Sequence, residues 1–427
     1  MVDILSIGTG AINAYRQALS TTSNNIANVD TPGYSRRELH IEESFPVERG
    51  SFSFGSGAQA EAVARAYDEF IERSLRDAIS DLEQNEPVIA HSNRIIDILG
   101  TESASLANAL DGFFNATETL STDPTSSNFR RDLLNSSTVV ASRFNGLAEQ
   151  LDRVDNESKQ AFSDAVDSLN ALSAQLLKVN QSLGTRSDVD KQPPFLLDQR
   201  DAILRDMAKL TRLGVTELKT GQVVVNAGGA GRAHQIVTAT DTRDVGLVIG
   251  SPSAESALRL VFDPYGSKRP LPNDLGGTIG GLQSFTSEVM HPARVGLDHL
   301  ARTFSKEVNS IHRDGLDMNG EFGLDLFRVS TSFTAIANAA SGDVSVSAKV
   351  VDHEVASSVP LDLMYKAATN LWSVKDAVTG EVVGDISHGT PTILGGIEFS
   401  MVGEPQNGDV IGFEPKDRPS LTFEVAI

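Results

Sequence analysis

The chain has 427 residues, 36 of them basic and 57 acidic, for a formal net charge of -21, and it contains no cysteine. That length asks for about two to four domains rather than one core, and the missing thiols exclude disulfide frameworks, thiolate metal sites and cysteine nucleophiles. The acidic surface repels phosphate backbones and anionic lipid, so neither nucleic acid nor a membrane is an expected partner.

No run of about 18 apolar residues occurs, the length a spanning helix needs. The opening stretch MVDILSIGTGAINAYRQ lacks the basic leader and unbroken apolar run of a cleaved secretory signal, so any route out of the cell is expected to use none. Residues 4 to 28 are predicted as a helix. In it Leu5, Ile12, Leu19 and Ile26 recur at seven-residue intervals, with Gly8, Tyr15, Thr22 and Val29 three positions further on. This is a coiled-coil-like seam. Gly8, Gly10, Ala11, Ala14 and Ala18 allow close approach of neighbouring helices, at a cost in intrinsic helix stability. An amphipathic helix docked on its own domain would show the same pattern.

Asp30-Thr31-Pro32-Gly33-Tyr34 ends that helix, because Pro32 removes a donor, restricts Thr31 to extended conformations and precedes a glycine suited to positive φ. Residues 35 to 60 read as an extended loop or short hairpin. From about residue 62 a second helix is expected, with Val63, Tyr67, Phe70, Ile71, Leu75, Ile79 and Leu82 on one face, and Pro87 kinking or restarting it. Gly100 offers a C-cap, Leu106 to Leu120 a further helix, and Asp123-Pro124 a turn.

The longest signal runs from Val140 through Phe144, Leu147, Leu151 and Val154 to Leu183, with gaps of three or four throughout. Only a long helix in a bundle produces that; at about 1.5 Å per residue it spans roughly 66 Å. Consecutive gaps of four at Ala161-Ala165-Leu169 act as a stutter. Pro193-Pro194 forces a turn before a shorter helix over 195 to 213. Short β-like runs then fill 214 to 270, helix returns over 275 to 313, and 342 to 427 has the strand spacing of a small sandwich or barrel.

The predicted fold is multidomain α+β, an elongated long-helix bundle with an N-terminal coiled-coil-like helix and small β-rich outer domains. Its expected parts are 1–60 (axial helix and extended loop), 61–213 (long-helix bundle), 214–272 (small β-rich insertion), 273–340 (helices returning to the bundle) and 341–427 (β-rich outer domain). The first 60 residues or so are expected to dock poorly in the isolated chain.

Chemistry-bearing motifs are missing from the sequence. None of the eight histidines stands in the i, i+4 pair with adjacent Glu of a helical zinc protease, and His291 and His299 are poorly placed for a chelate. Gly8-Thr9-Gly10 and the cluster of Gly228, Gly229 and Gly231 lack the strand-to-helix context of a phosphate loop. Asp314 to Gly320 has the ingredients of a calcium loop in the wrong register, so a solvated turn is expected. The pairs Glu42-Glu43 and Asp198/Asp201 show no sign of desolvation, and Trp372 reads as a core residue. No enzyme activity, cofactor or metal is predicted.

The run Asn24-Asn25-Ile26-Ala27-Asn28-Val29-Asp30-Thr31-Pro32-Gly33-Tyr34 resembles the N-terminal signature shared by the axial proteins of the bacterial flagellum, the rod, hook and hook-associated subunits. Its continuation Tyr34-Ser35-Arg36-Arg37 is similar to the first hook-associated proteins, which sit at the hook-filament junction, more than to rod and hook subunits. Leu196-Leu197-Asp198-Gln199-Arg200-Asp201 is similar to a second stretch of the same family. The resemblance covers most of the chain, closely over 1 to 213 and more loosely beyond.

It implies an extracellular structural subunit, exported unfolded through the flagellar type III apparatus, that self-associates in a ring between the hook protein and a neighbouring hook-associated protein. The seam residues Leu5, Ile12, Leu19 and Ile26 and the motif residues Asn25, Asn28, Gly33 and Tyr34 carry over as assembly elements. That family ends in a long amphipathic helix, whereas this chain stops at the β-like run Leu421 to Ile427; it reads foremost as a truncated product or gene model, or else as a piece cut after the outer domain or a divergent member that completes its core differently. The alternatives are a hook or rod subunit, or a secreted enzyme or adhesin carried by the β-rich regions.

Overall fold

Helix α1 (Ile4–Ala27) opens the computed structural model, which describes residues 4–49, 52–100, 105–228, 234–249, 258–262, 269–271, 275–338 and 344–426. Gly229 and Gly231 of the glycine cluster lie outside these residues. Four strands follow: β1 (Arg37–Glu43), β2 (Val47–Arg49), β3 (Phe52–Phe54) and β4 (Ala58–Arg65). β2 pairs with β3, and β1 pairs antiparallel with β4, Arg37 opposite Arg65 and Glu43 opposite Ala58. The helix expected from residue 62 therefore begins later. Ala58, Ala60, Ala62 and Ala64 alternate with Gln59, Glu61, Val63 and Arg65, a period of two that small alanines disguise.

Asp68 caps α2 (Glu69–Gly100) by accepting the N–H groups of Phe70 and Ile71 at 2.9 and 3.2 Å. The helix continues through Pro87 rather than restarting there. Its expected inner face is in part the outer one: Phe70, Ile71, Leu75 and Leu82 are exposed, whereas Arg76 and Ser80 are buried. The body facing this stretch presents Arg205 and Arg212, which take Glu72 and Asp81 at 3.3 and 2.5 Å. Ser105 caps α3 (Leu106–Thr122), and α4 (Ser127–Leu183) runs 57 residues, starting earlier than its apolar repeat. Around the stutter, Phe162 and Val166 join the buried set.

Pro194 begins α5 (Pro194–Leu210), where its missing N–H costs nothing. Strands β5 (Leu213–Glu217), β6 (Val223–Ala227), β7 (Gln235–Val237), β8 (Val245–Ile249), β9 (Leu258–Phe262) and β10 (Arg269–Pro270) precede α6 (Gly277–Ser284). A π-helical turn, Phe285–Met290, joins α6 to α7 (His291–Asp314). Then come β11 (Phe327–Arg328), β12 (Ser332–Asn338), β13 (Val344–Val350), β14 (Leu361–Lys366), β15 (Leu371–Asp376), β16 (Val382–Ser387), β17 (Thr392–Leu394), β18 (Ile397–Gly403), β19 (Val410–Asp417) and β20 (Glu424–Val425). The α+β class is as the sequence implies.

The chain forms two compact units, 1–84 with 165–245 and 262–279, and 85–164 with 246–261 and 280–427. In the first, the sheet of order β5-β6-β7 buries Val223, Val225 and Ala227 in alternation. Asn180 of α4, fully buried, donates to Val223 O and Thr238 O at 2.8 and 3.0 Å and accepts from Val223 N at 3.0 Å. One side-chain amide thus stands in for a missing peptide group.

In the second unit, Phe113, Phe144, Phe304, Phe327 and Phe423 meet with ring centroids 4.7 to 6.4 Å apart, joining α3, α4 and α7 to the short β11–β20 pair. Beside them a sandwich packs the sheet β12-β19-β14-β15-β16 on β13-β18-β17. Trp372, Leu363 and Phe413 from one sheet and Val346, Ile397 and Phe399 from the other form its core, so Trp372 is a core residue as expected. Arg418, after β19, is buried beside Asp152 of α4 at 2.6 Å.

Candidate assembly interface

Helix α1 has two faces built from different residue types. Ile7, Gly10, Ala11, Ala14, Ala18, Thr21, Asn25 and Asn28 form one stripe, half-buried or buried, which lies on the β1–β4 ribbon. Ala14 is 3% exposed at its middle. Small residues permit this: a Cβ on Gly57 would stand 3.1 Å from Ile7 Cγ2, and one on Gly10 would stand 3.4 Å from Ala58 O. The helix is thus docked on its ribbon through this face.

The other face is the seam. Leu5, Ile12, Leu19 and Ile26 are 73, 61, 71 and 70% exposed, and Tyr15 and Val29 beside them are exposed too. The seam is thus an apolar stripe left in water. A groove of about 730 Å3 adjoins its end, lined by Ile26, Val29, Tyr34 and Leu39 among others.

Below the seam, the signature residues hold the turn that ends α1. Asn25 donates to Arg37 O at 2.8 Å and accepts from Arg37 N at 3.0 Å and from Tyr34 Oη–H at 2.8 Å. Its amide therefore adds one peptide-like rung to the start of β1. Asn28 donates to Asn24 O at 2.9 Å and accepts from Thr31 Oγ1–H at 3.2 Å. Gly33 has φ +83°, and a Cβ there would face Ala202 and Arg205 of α5 at 3.7 and 3.8 Å. The Arg37 guanidinium lies 4.8 Å from the Tyr34 ring centroid.

The second signature stretch comes to the same place. Arg65 of β4 binds Asp198 at 3.1 Å and Asp201 at 2.7 Å, and Arg37 lies 3.6 Å from Asp198. Asp201 also takes Arg200 at 2.7 Å, which reaches Glu217 at 2.8 Å and Gly221 O at 2.7 Å. The side chains of Arg65, Asp201 and Arg200 are only 5, 4 and 1% exposed. Burial works against the charge on Arg200, but Asp201 and Glu217 outweigh it and raise its pKa. Burial, then the Asp201 charge, pushes the Tyr67 phenol up.

Asp198 and Asp201 are therefore desolvated, which the sequence did not indicate. Arg65, which they share, sits 133 and 136 positions away, so its approach has no local signal. With every carboxylate matched by a guanidinium, the cluster is a brace rather than an acid–base pair. Glu42 faces Glu61 across the ribbon, and their shared hydrogen bond and repulsion raise the Glu42 pKa.

The other histidine and loop candidates have local explanations. His291 Nε2 lies 3.4 Å from Asp376. Asp317 accepts the N–H groups of Asn319 and Glu321 at 2.8 and 2.9 Å, closing the turn after α7. Among the described residues no helix is long and apolar enough to cross a membrane.

Residues 92–327, more than half of the chain, match the family model of the flagellar hook-associated protein FlgK helical domain, and residues 5–34 match that of the flagella basal body rod protein. The chain is 24% identical to flagellar hook-associated protein 1 of Escherichia coli (strain K12), covering 100% of this chain and 78% of that protein. Its identity to the protein of the same name from Bacillus subtilis (strain 168) is 25%, over 87% of this chain and 79% of the other. For the one from Salmonella typhimurium the values are 26%, 82% and 64%. The solved flagellar hook junction protein FlgK from Burkholderia pseudomallei superposes with a TM-score of 0.69 at 23% identity, over 83% of this chain and 64% of that one. The fold is shared.

Proposed function

Because the chain belongs to the flagellar hook-associated protein FlgK family, we propose that it joins hook to filament in the bacterial flagellum, outside the cell, as a structural subunit without catalysis. It enters the axial structure through α1. The observation that carries this is the division of that helix into a small-residue face used by its own ribbon and an exposed Leu/Ile seam. Leu5, Ile12, Leu19 and Ile26 make the contacts with other subunits; Asn25, Asn28, Gly33 and Tyr34 set the turn from which the helix projects.

The partners of this reading are further copies of the chain in a ring, the hook protein on one side and another hook-associated protein on the other. The subunit reaches them through the flagellar type III export apparatus. Deleting residues 4–34 should leave a folded body that is exported but does not join the flagellum. Normal filaments and swimming in the deletion strain would refute the assembly role of α1.

The match of residues 5–34 to the rod-protein model favours a second reading, a rod or hook subunit. Immunogold labelling separates the two. A narrow band at the hook-filament boundary supports the junction, and label along the whole hook or within the rod supports the other.

A further inference from the structure

The packing of α1 rests on the β1–β4 ribbon, so the direction in which the helix projects depends on what holds that ribbon to the body. The ribbon meets α5 through charges. Arg65 is gripped by Asp198 and Asp201, Arg37 approaches Asp198, and Gly33 closes over Ala202.

We propose that Arg65, seated between Asp198 and Asp201, is the clamp that fixes the direction of α1 relative to the body, and is thereby a positioning residue for the assembly helix. The inference rests on the assembly role proposed for α1.

The wiring of the cluster is asymmetric. Asp201 has a second cation in Arg200, itself held by Glu217 and Gly221 O, so the body retains a neutralised carboxylate if Arg65 is lost. Asp198 would keep only Arg37, at 3.6 Å and on the same ribbon. Removing Arg65 therefore leaves the longer Arg37–Asp198 contact to hold the ribbon on α5, weakening that tie while sparing the one between α5 and β5. Helix and ribbon remain joined, through the small-residue face and the three hydrogen bonds of Asn25. What is freed is the pair, moving together.

The chain has no cysteine, so two introduced thiols label cleanly. With Ser20→Cys on α1 and Asp206→Cys on α5, both exposed positions, pulsed electron paramagnetic resonance measures the distance between helices in the full chain. The parent should give one narrow distribution, Arg65→Met a broad one with unchanged circular dichroism, and Arg65→Lys a narrow one again. In the flagellum Arg65→Met should abolish incorporation. Should Arg65→Met fail to fold, Arg65→Gln, which removes the charge but keeps a hydrogen-bond donor, should broaden the distribution in its place.

A narrow distribution in folded Arg65→Met overturns the clamp. So does a narrow distribution in Arg65→Gln where Arg65→Met does not fold. Broadening accompanied by normal incorporation supports the clamp and refutes instead the assembly role on which it rests.

Discussion

Helices α1 and α4 carry the same sequence signal and end in opposite environments. In α4 the residues Val140, Phe144, Leu147, Leu151 and Val154 are at most 2% exposed; in α1 the repeat of Leu5, Ile12, Leu19 and Ile26 is 61% exposed or more. Periodicity tells which face of a helix wants to leave water, but not whether the cover belongs to the same molecule. The rest of the helix decides that. α4 has polar residues opposite its apolar stripe, whereas α1 has a second stripe of Gly and Ala, and that stripe does the intramolecular docking.

The sharpest way to break the comparison is to charge the seam. Ile12→Asp with Leu19→Asp should abolish entry into the flagellum, read as loss of swimming, yet move the unfolding free energy of the isolated chain by no more than about 0.5 kcal/mol. If the double variant unfolds instead, the seam is part of the core. The converse change, Phe144→Ala, should cost about 3–5 kcal/mol in urea unfolding, because Phe144 stacks on Phe423 at 4.7 Å with no exposed surface.

A smaller effect separates the helix from its turn. Asn25→Ala removes two acceptor bonds and one donor bond and should lower local stability by about 1–2 kcal/mol, seen as faster hydrogen exchange at the Arg37 amide. Exchange unchanged there would mean that the ribbon holds without its asparagine rung.

The smallest effect concerns an ion pair at the start of α7. Burial pushes the Asp376 carboxyl up, but the His291 side chain and the N–H groups of Thr379 and Val378 outweigh it and hold the pKa below the ordinary value of 3.8. The unfolded chain then binds the proton more readily, so this contribution is present above about pH 4 and disappears as the pH falls through the lower folded value. The single tryptophan, Trp372, buried in the sandwich, should report the loss as a shift of emission on acidification. Asp376→Asn should remove that part of the pH dependence.

Much of this was legible in the sequence, for identifiable reasons. The long helix, the turn at Pro32-Gly33 and the buried Trp372 follow from local patterns. The strand Ala58–Arg65 did not, because alanine at every second position gives a weak alternation that a helix accommodates equally well. The buried ion cluster could not be foreseen, since Asp198 and Asp201 look like any acidic pair until Arg65 arrives from the ribbon.

Helix-borne asparagines were the other silent element. Asn25, Asn180 and Asn309 each satisfy strand backbone, Asn309 by accepting from Leu326 N and Phe327 N at 2.9 Å and donating to Phe327 O at 2.7 Å. A polar residue on a helix reads as solvent-facing unless the strand it serves is known.

On the proposed assembly role, the two-sided build of α1 makes the connector separable from the thing connected. Recoding Leu5, Ile12, Leu19 and Ile26 leaves Gly10, Ala14 and Ala18 on the ribbon undisturbed, so coupling specificity can drift or be redesigned without refolding the subunit. Two variants with mutually matched seams could then share a cell and build separate, non-mixing joints.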